Sequence, residues 1–475
     1  MDGTVISSVC MQGINDNKSW EFKLGGIEDL KQLSTQLNVP IDAIEDVSNL
    51  AEPVQVGKLV MPNSLVAHPM EGADGDSQGR PGKLTFRRYE RFAAGGAGLI
   101  WVEATAIIGE GRANPRQLWL NEQNKEDFAA LVKLIKDSAK RSGLKQEPII
   151  VLQLTHSGRY GNPEGLVHPL IVQRDPYKDA LAAQQKPDSS DKSKMPDDWP
   201  TLTDEYLDNL VDGYVNAARL AFEAGFDAVD IKSCHGYLIN ELFACRTREG
   251  KYGGSFENRT RFLLDVIDRI HAELGEDKMV VSRLGIYDAV PYPYGWGVCA
   301  SDYTKPDLME PKKLIALMEE RGVKMINITV ANPYYNPHYG RPFDKPIVGG
   351  YQSPEHPLVG VSRLISLAGE IQKEFGNIAI VGTGYSWLRT LMPNVAAASK
   401  ANGLAALVGV GRMAFAYPDF AKDIINKGKL DPNKVCICCS GCTQIMRDGG
   451  MIGCVVRDNE IYGPIYRNGR RQQKK

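Results

Sequence analysis

Three groups of residues have types and spacings suited to chemistry. The first sits at a strand end. Ala228-Val229-Asp230-Ile231 is a short apolar run, and the ionisable Lys232 and His235 follow it at once. Groups just past the carboxyl end of a buried parallel strand stand where catalytic loops gather. The second group is thiols. Cys436, Cys439, Cys442 and Cys454 read C-x2-C-x2-C-x11-C, with Cys438 spare. Three close thiolates and a fourth from a return loop suit a [4Fe–4S] cluster. Four cysteines also suit tetrahedral zinc. The third group is glycines. Gly382-Thr383-Gly384 and Gly409-Val410-Gly411-Arg412 each follow an apolar run. Backbone N–H groups of such turns bind phosphate, and Arg412 adds charge.

These groups need a scaffold, and the chain supplies a repeating one. Apolar strand-like runs are expected near 64–69, 99–104, 148–154, 228–232, 279–284, 325–330, 378–381 and 404–409, with amphipathic helices fitting between them. The clearest helix spans 204–224. Its Leu207, Leu210, Val211, Tyr214, Ala218, Ala221 and Phe222 recur at helical spacing. Thr203 is suited to cap it, and Asp204 and Glu205 suit its positive end. Eight β/α units predict an α/β fold, a TIM (β/α)8 barrel. The barrel is expected over 51–430, after an N-terminal extension at 1–50 and before a cluster-binding segment at 431–475. Residues 409–414 formally satisfy GxGxxA, but the chain then runs into the cysteines rather than completing a Rossmann unit. Polar residues 173–200 interrupt the repeat after the third strand, where a lid is expected. The aromatic Pro/Gly loop within 286–310 is expected to touch substrate.

The stretch around Lys232 also carries a resemblance. His235-Gly236-Tyr237-Leu238-Ile239-Asn240, then Arg246-Thr247, then Tyr252-Gly253-Gly254-Ser255-Phe256-Glu257-Asn258-Arg259 resembles the signature of the flavin-dependent Old Yellow Enzyme superfamily. The resemblance covers about residues 50–465 and implies an FMN-binding barrel. By it, Gly382, Thr383, Gly384, Gly411 and Arg412 hold the FMN phosphate. Pro69, Met70, Glu71, Ala104, Gln153 and Arg283 contact the ring system, with Arg283 on the side where a cation stabilises the reduced anion. Lys232 and His235 hydrogen-bond the substrate's activating carbonyl. His338, in the irregular NPYYNPHYGRP run, is a candidate acid, with Tyr334 and Tyr335 as alternatives, while His156 is expected to be structural or beside the cofactor. Two positions depart from the pattern. Glu71 stands where the family has Thr or Cys, so it is expected to be protonated or turned away. Lys232 stands where the family has His or Tyr, and an ion pair to a nearby carboxylate is the plain alternative to a substrate contact.

The branch resembling 2,4-dienoyl-CoA reductase and trimethylamine dehydrogenase carries the same cysteine motif, which favours iron–sulfur over zinc here. Those relatives continue into a dinucleotide-binding module, whereas this sequence ends at Lys475. Electrons are therefore expected from a ferredoxin or flavoprotein rather than directly from NADPH.

Composition narrows the remaining classes. The 475 residues are 43% hydrophobic and 24% charged, enough for a full core. A net charge of −2 without a large basic block gives nucleic-acid binding no support. No signal-peptide pattern and no 18-residue apolar run occur, so a cytoplasmic protein without membrane contact is expected. Five of the nine cysteines fall within 436–454, a metal-ligand pattern of a reducing compartment rather than a disulfide framework. A homo-oligomer is expected. The activity implied is an ene-reductase acting on a small unsaturated carbonyl compound. The alternatives are an oxidative amine dehydrogenase or demethylase, or an electron-transfer subunit of a larger complex.

Overall fold

The computed structural model describes residues 20–143, 147–165, 168–179 and 198–473. A hairpin, β1 (Val54–Val56) and β2 (Leu59–Met61), precedes eight strands: β3 (Leu65–Ala67), β4 (Leu99–Ala106), β5 (Ile149–Thr155), β6 (Ala228–Ile231), β7 (Met279–Gly285), β8 (Met325–Thr329), β9 (Ala379–Gly382) and β10 (Leu407–Val410). These eight close into a parallel barrel, with β10 pairing β3. The strands are buried along nearly their whole length, as expected where helices cover one face and the barrel lumen the other. The lower lumen is filled by Val66, Leu99, Trp101, Val151, Val281 and Val381, and the hairpin closes it with Val56 and Met61. The active face is thus left to the other end, beyond the strand C-termini.

Local chemistry sets the helix boundaries. Thr203 caps the helix Asp204–Glu223, its hydroxyl accepting from the Tyr206 N–H at 3.1 Å. The expected apolar stripe is buried except Phe222, which is half-exposed with the Lys278 ammonium over its ring. Ser255 caps Phe256–Leu274 in the same way, so that helix begins two residues before Asn258. Its Arg259 is buried against Glu310.

The N-terminal segment is part of the barrel body from residue 20 on. Leu30, Val47 and Leu50 join the main core. Trp20 Nε1 donates to the Ser353 carbonyl at 3.2 Å, and Phe22 packs edge-on against Trp387. The cysteine segment is likewise tied down. The Ile452 N–H donates to the Gly72 carbonyl at 2.7 Å, and Asp458 pairs with Arg87 and Arg91. The lid expected over 173–200 falls largely on 180–197, outside the described residues. Among the described residues, no helix is long and apolar enough to cross a membrane.

Candidate active site

A cavity of roughly 230 Å³ opens at the C-terminal ends of the strands. Gln153 in its lining is held by Asp230, a buried carboxylate inside β6. Asp230 accepts from Trp101 Nε1 at 2.8 Å, Gln153 Nε2 at 2.6 Å and the Arg283 backbone N–H at 2.6 Å. Burial pushes its pKa up to about 6, against the pull of those donors. Gln153 spends one amide N–H on Asp230, which fixes the amide's orientation and leaves its carbonyl oxygen and second N–H for other partners.

The turn after β3 is held by a second buried network. Arg88 pairs with Asp74 at 2.7 Å and Glu103 at 2.6 Å, and Glu103 accepts from the Gly72 N–H at 2.6 Å. A Cβ on Gly72 would lie 2.2 Å from the Arg88 guanidinium, so only glycine fits. This clamp presents Pro69, Met70 and Glu71 to the cavity.

The chain leaves β6 through two residues of positive φ, His235 at 67° and Gly236 at 72°. A side chain in that region is uncommon and marks a constrained turn. It brings Lys232, His235 and Tyr237 to one wall. Lys232 Nζ lies 3.4 Å from Glu71 Oε1 and 3.6 Å above the Tyr237 ring, whose hydroxyl donates to the same Glu71 oxygen at 3.2 Å. Glu71 is therefore not turned away: its carboxylate lines the cavity and meets both the Lys232 side chain and the Tyr237 hydroxyl. The Lys–His pair is not a pair of cations. Burial, then Arg283 and Lys232, holds His235 well below the usual histidine range, so its imidazole is neutral.

Arg283, Thr383, Gly384, Gly411 and Arg412 also line this cavity. Gly382 does not, and its lack of a side chain answers to Tyr385, whose hydroxyl a Cβ would meet at 2.9 Å. Ala104 is fully buried behind the wall, its carbonyl accepting from Gln117 Nε2. His338 is not in the lining either. Its Nδ1 meets the Tyr351 hydroxyl at 2.5 Å, on a short helical turn whose neighbours Pro337 and Gly340 do face the cavity. His156 is structural. Its Nδ1 accepts from the Gly158 N–H and its Nε2 meets the Tyr206 hydroxyl.

Sequence reasoning missed His68, Arg341 and Arg447 in the wall and gave Tyr237 no role. His68 stands directly before Pro69 at the end of the first strand, a position that could have flagged it. A Cβ on Gly409 would fall 2.0 Å from its ring. Arg447 had no local signal, because the cysteine segment brings it in from far along the chain.

The polar inventory fits FMN. His68 Nε2, Arg283 Nε, Arg412 Nη1 and Arg447 Nε are buried without a protein partner. Five side-chain cations line the cavity against the single carboxylate of Glu71. Such unpaired guanidiniums call for an anion with further acceptors, which a phosphate and a flavin pyrimidine edge supply. Arg412, Thr383 and Gly384 would take the phosphate, and Gln153 and Arg283 the ring edge.

Cys436, Cys439, Cys442 and Cys454 line a second, smaller cavity together with Cys438. Arg412 and Cys442 border both cavities. Among the described residues, no three His, Cys, Asp or Glu side chains are close enough to hold one metal ion. A tetrahedral zinc at about 2.3 Å from each sulfur would draw the thiolates to about 3.8 Å of one another. The four are gathered around a space but not closed on a point.

Comparison with known proteins agrees with this geometry. The profile of the NADH:flavin oxidoreductase / NADH oxidase family matches residues 49–297. An NADPH dehydrogenase of Clostridium acetobutylicum is 31% identical over 53% of this chain and 67% of its own. An NADH oxidase of Thermoanaerobacter brockii is 28% identical over 83% of this chain, which spans about half (53%) of that relative. Among solved structures, a 2-naphthoyl-CoA reductase complex superposes with a TM-score of 0.67 at 19% identity, covering 89% of this chain and 58% of that one. An Old Yellow Enzyme homologue from Zymomonas mobilis gives 0.57 at 21% identity, covering 81% and 94%. Barrel topology and family profile coincide, and the chain belongs to the NADH:flavin oxidoreductase / NADH oxidase family as a flavin-dependent oxidoreductase.

Proposed function

We propose that the protein is an ene-reductase that saturates the activated C=C of an unsaturated carbonyl compound: an enoate, an enoyl-CoA or a cyclic enone. The observation that carries this reading is the single wall on which Lys232, neutral His235 and Tyr237 meet. Bound reduced FMN supplies a hydride for the β-carbon. Lys232 and the one N–H of neutral His235 are donors for the carbonyl oxygen, where charge grows as the hydride arrives. Tyr237 holds the proton for the α-carbon. Burial, then Glu71, keeps its hydroxyl well above the usual tyrosine range, so it stays protonated until a carbanion-like centre forms beside it. His338 is replaced by Tyr237 in this role, since its ring stands outside the cavity lining.

The amine-oxidising alternative wants an aromatic face and a carboxylate for a cationic guest. Tyr237 and Glu71 are such a pair, but Lys232 already occupies both. That contact favours the reductive reading.

Cys436, Cys439, Cys442 and Cys454 are assigned to a [4Fe–4S] cluster, supported by the one cavity they share and by its common border with the flavin cavity. The cluster would take electrons singly from a ferredoxin or flavoprotein. The test is an anaerobic panel of enones, enoates and enoyl thioesters with reduced methyl viologen as electron source. Saturated products from at least one class support the reading. Turnover of amines alone would refute it.

A further inference from the structure

We infer that Arg447 forms an outer subsite for an oxyanion on the substrate, so that the preferred substrates carry a carboxylate or phosphate remote from the reacting double bond. The inference rests on the ene-reductase reading and names the substrate class within it.

Arg447 ends the short helix Gly441–Arg447 of the cysteine segment, yet its side chain lines the flavin cavity. Its guanidinium lies 5.0 Å from the centre of the Tyr334 ring. Tyr334 stacks on Tyr160 at 3.9 Å, and Tyr160 is 5.9 Å from Tyr237, which carries Lys232 over its face. A continuous aromatic wall thus runs from the proposed carbonyl donors to Arg447. The phosphate loops after β9 and β10 have their own cation in Arg412, so Arg447 stands on the substrate side of the cavity.

The charge at Arg447 is uncompensated. It forms no ion pair among the described residues, and its buried Nε has no hydrogen-bond partner. Lys232, by contrast, has Glu71 as its counter-charge. Another cation, Arg341, lies close enough to Arg447 to feel its charge. Arg447 as a whole is half-buried, but an unpaired guanidinium whose Nε is buried is costly unless an anion completes it, and its planar fork matches a carboxylate or phosphate in bidentate fashion. Met446 beside it is 38% exposed, so the subsite opens at the mouth, where a long or charged substrate tail can remain in water.

The experiment uses the FMN-loaded protein and saturated, unreactive ligands, read by perturbation of the flavin absorbance. One pair is an oxo-acid and its methyl ester. The other is an acyl-CoA and the matching acyl-pantetheine. At least one anionic member should bind about 10- to 100-fold tighter than its neutral partner, and the pair showing the preference distinguishes carboxylate from phosphate. In Arg447→Met the ratio should collapse to near one with FMN retained, and Arg447→Lys should restore part of it. Equal affinities in the unmodified protein, a preference that survives Arg447→Met, or no binding of any of the four would overturn the inference. So would loss of FMN from Arg447→Met, which would place the residue in the cofactor site. Because these ligands have no double bond, failure of the reading shows separately, as no reduction of the unsaturated ester by the reduced enzyme.

Discussion

Glu71→Gln should tighten the binding of carbonyl ligands, because Glu71 and the ligand compete for one ammonium. At 3.4 Å and an effective dielectric of 20, the Lys232–Glu71 attraction is about 5 kcal/mol. Partial exposure of Glu71 and its remaining contact with Tyr237 discount this to about 1–2 kcal/mol of net effect on a competing carbonyl, or about 5- to 30-fold in Kd. Lys232→Met should act the opposite way. It removes a charge-assisted hydrogen bond of about 1.5–3 kcal/mol, or about 10- to 150-fold in kcat/KM. The two are coupled: in the Lys232→Met background, Glu71→Gln should change Kd by less than about 2-fold. Titration of the oxidised flavin with a non-reacting ketone measures all four corners of the cycle. A Glu71→Gln variant that binds ketones more weakly, or gains equally without Lys232, would refute the argument.

Other consequences are independent of that pair. His338→Gln should leave flavin reoxidation by an enone within about 2-fold of the parent, while Tyr237→Phe should slow it by about 100-fold or more in stopped-flow, the range of a lost general acid. Cys439→Ala should lose iron and keep most FMN by metal and flavin analysis. In the parent, a low-potential protein carrier should reduce the flavin faster than NADPH does. Rapid reduction by NADPH, unchanged in Cys439→Ala, would contradict the proposed electron route. Burial lowers the pKa of His156 to about 3, against about 6.5 in the unfolded chain. The unfolded state therefore binds the extra proton, and the stability His156 contributes is complete above pH 6.5 and lost as pH falls. By pH 5 the loss is about 2 kcal/mol. Urea unfolding at pH 7 and pH 5 should show a smaller loss in His156→Gln.

The barrel was legible because each strand is a short apolar run and the clearest helix carries its own apolar stripe and its Thr203 cap. All eight strands lie where those runs predict them, within a few residues. The turns that bring Thr383, Gly384, Gly411 and Arg412 to the cavity were legible for the same reason: Gly-rich turns at strand ends are local signals. Relations between distant residues were not. Nothing near Glu71 announces that Lys232, 161 positions on, will pair with it. The expected role of His338 depended on where its side chain points, which spacing along an irregular loop does not fix. Gly382 answers to Tyr385, and the His338 ring turns to Tyr351. Nothing local to Asp230 announces the three donors from neighbouring strands that meet it. Arg447 needed the fold of the whole cysteine segment to reach the cavity.

The central claim is that electrons held in this cavity go to an activated double bond. It is tested most directly in a single turnover. The enzyme is reduced anaerobically, excess reductant is removed, and the protein is mixed with an enone while the oxidised-flavin band is followed. The account predicts that the flavin reoxidises in a saturable phase, with formation of the saturated ketone. Flavin that stays reduced with every enone, enoate and enoyl thioester, in a protein whose oxidised form is bleached by a tertiary amine, would contradict it.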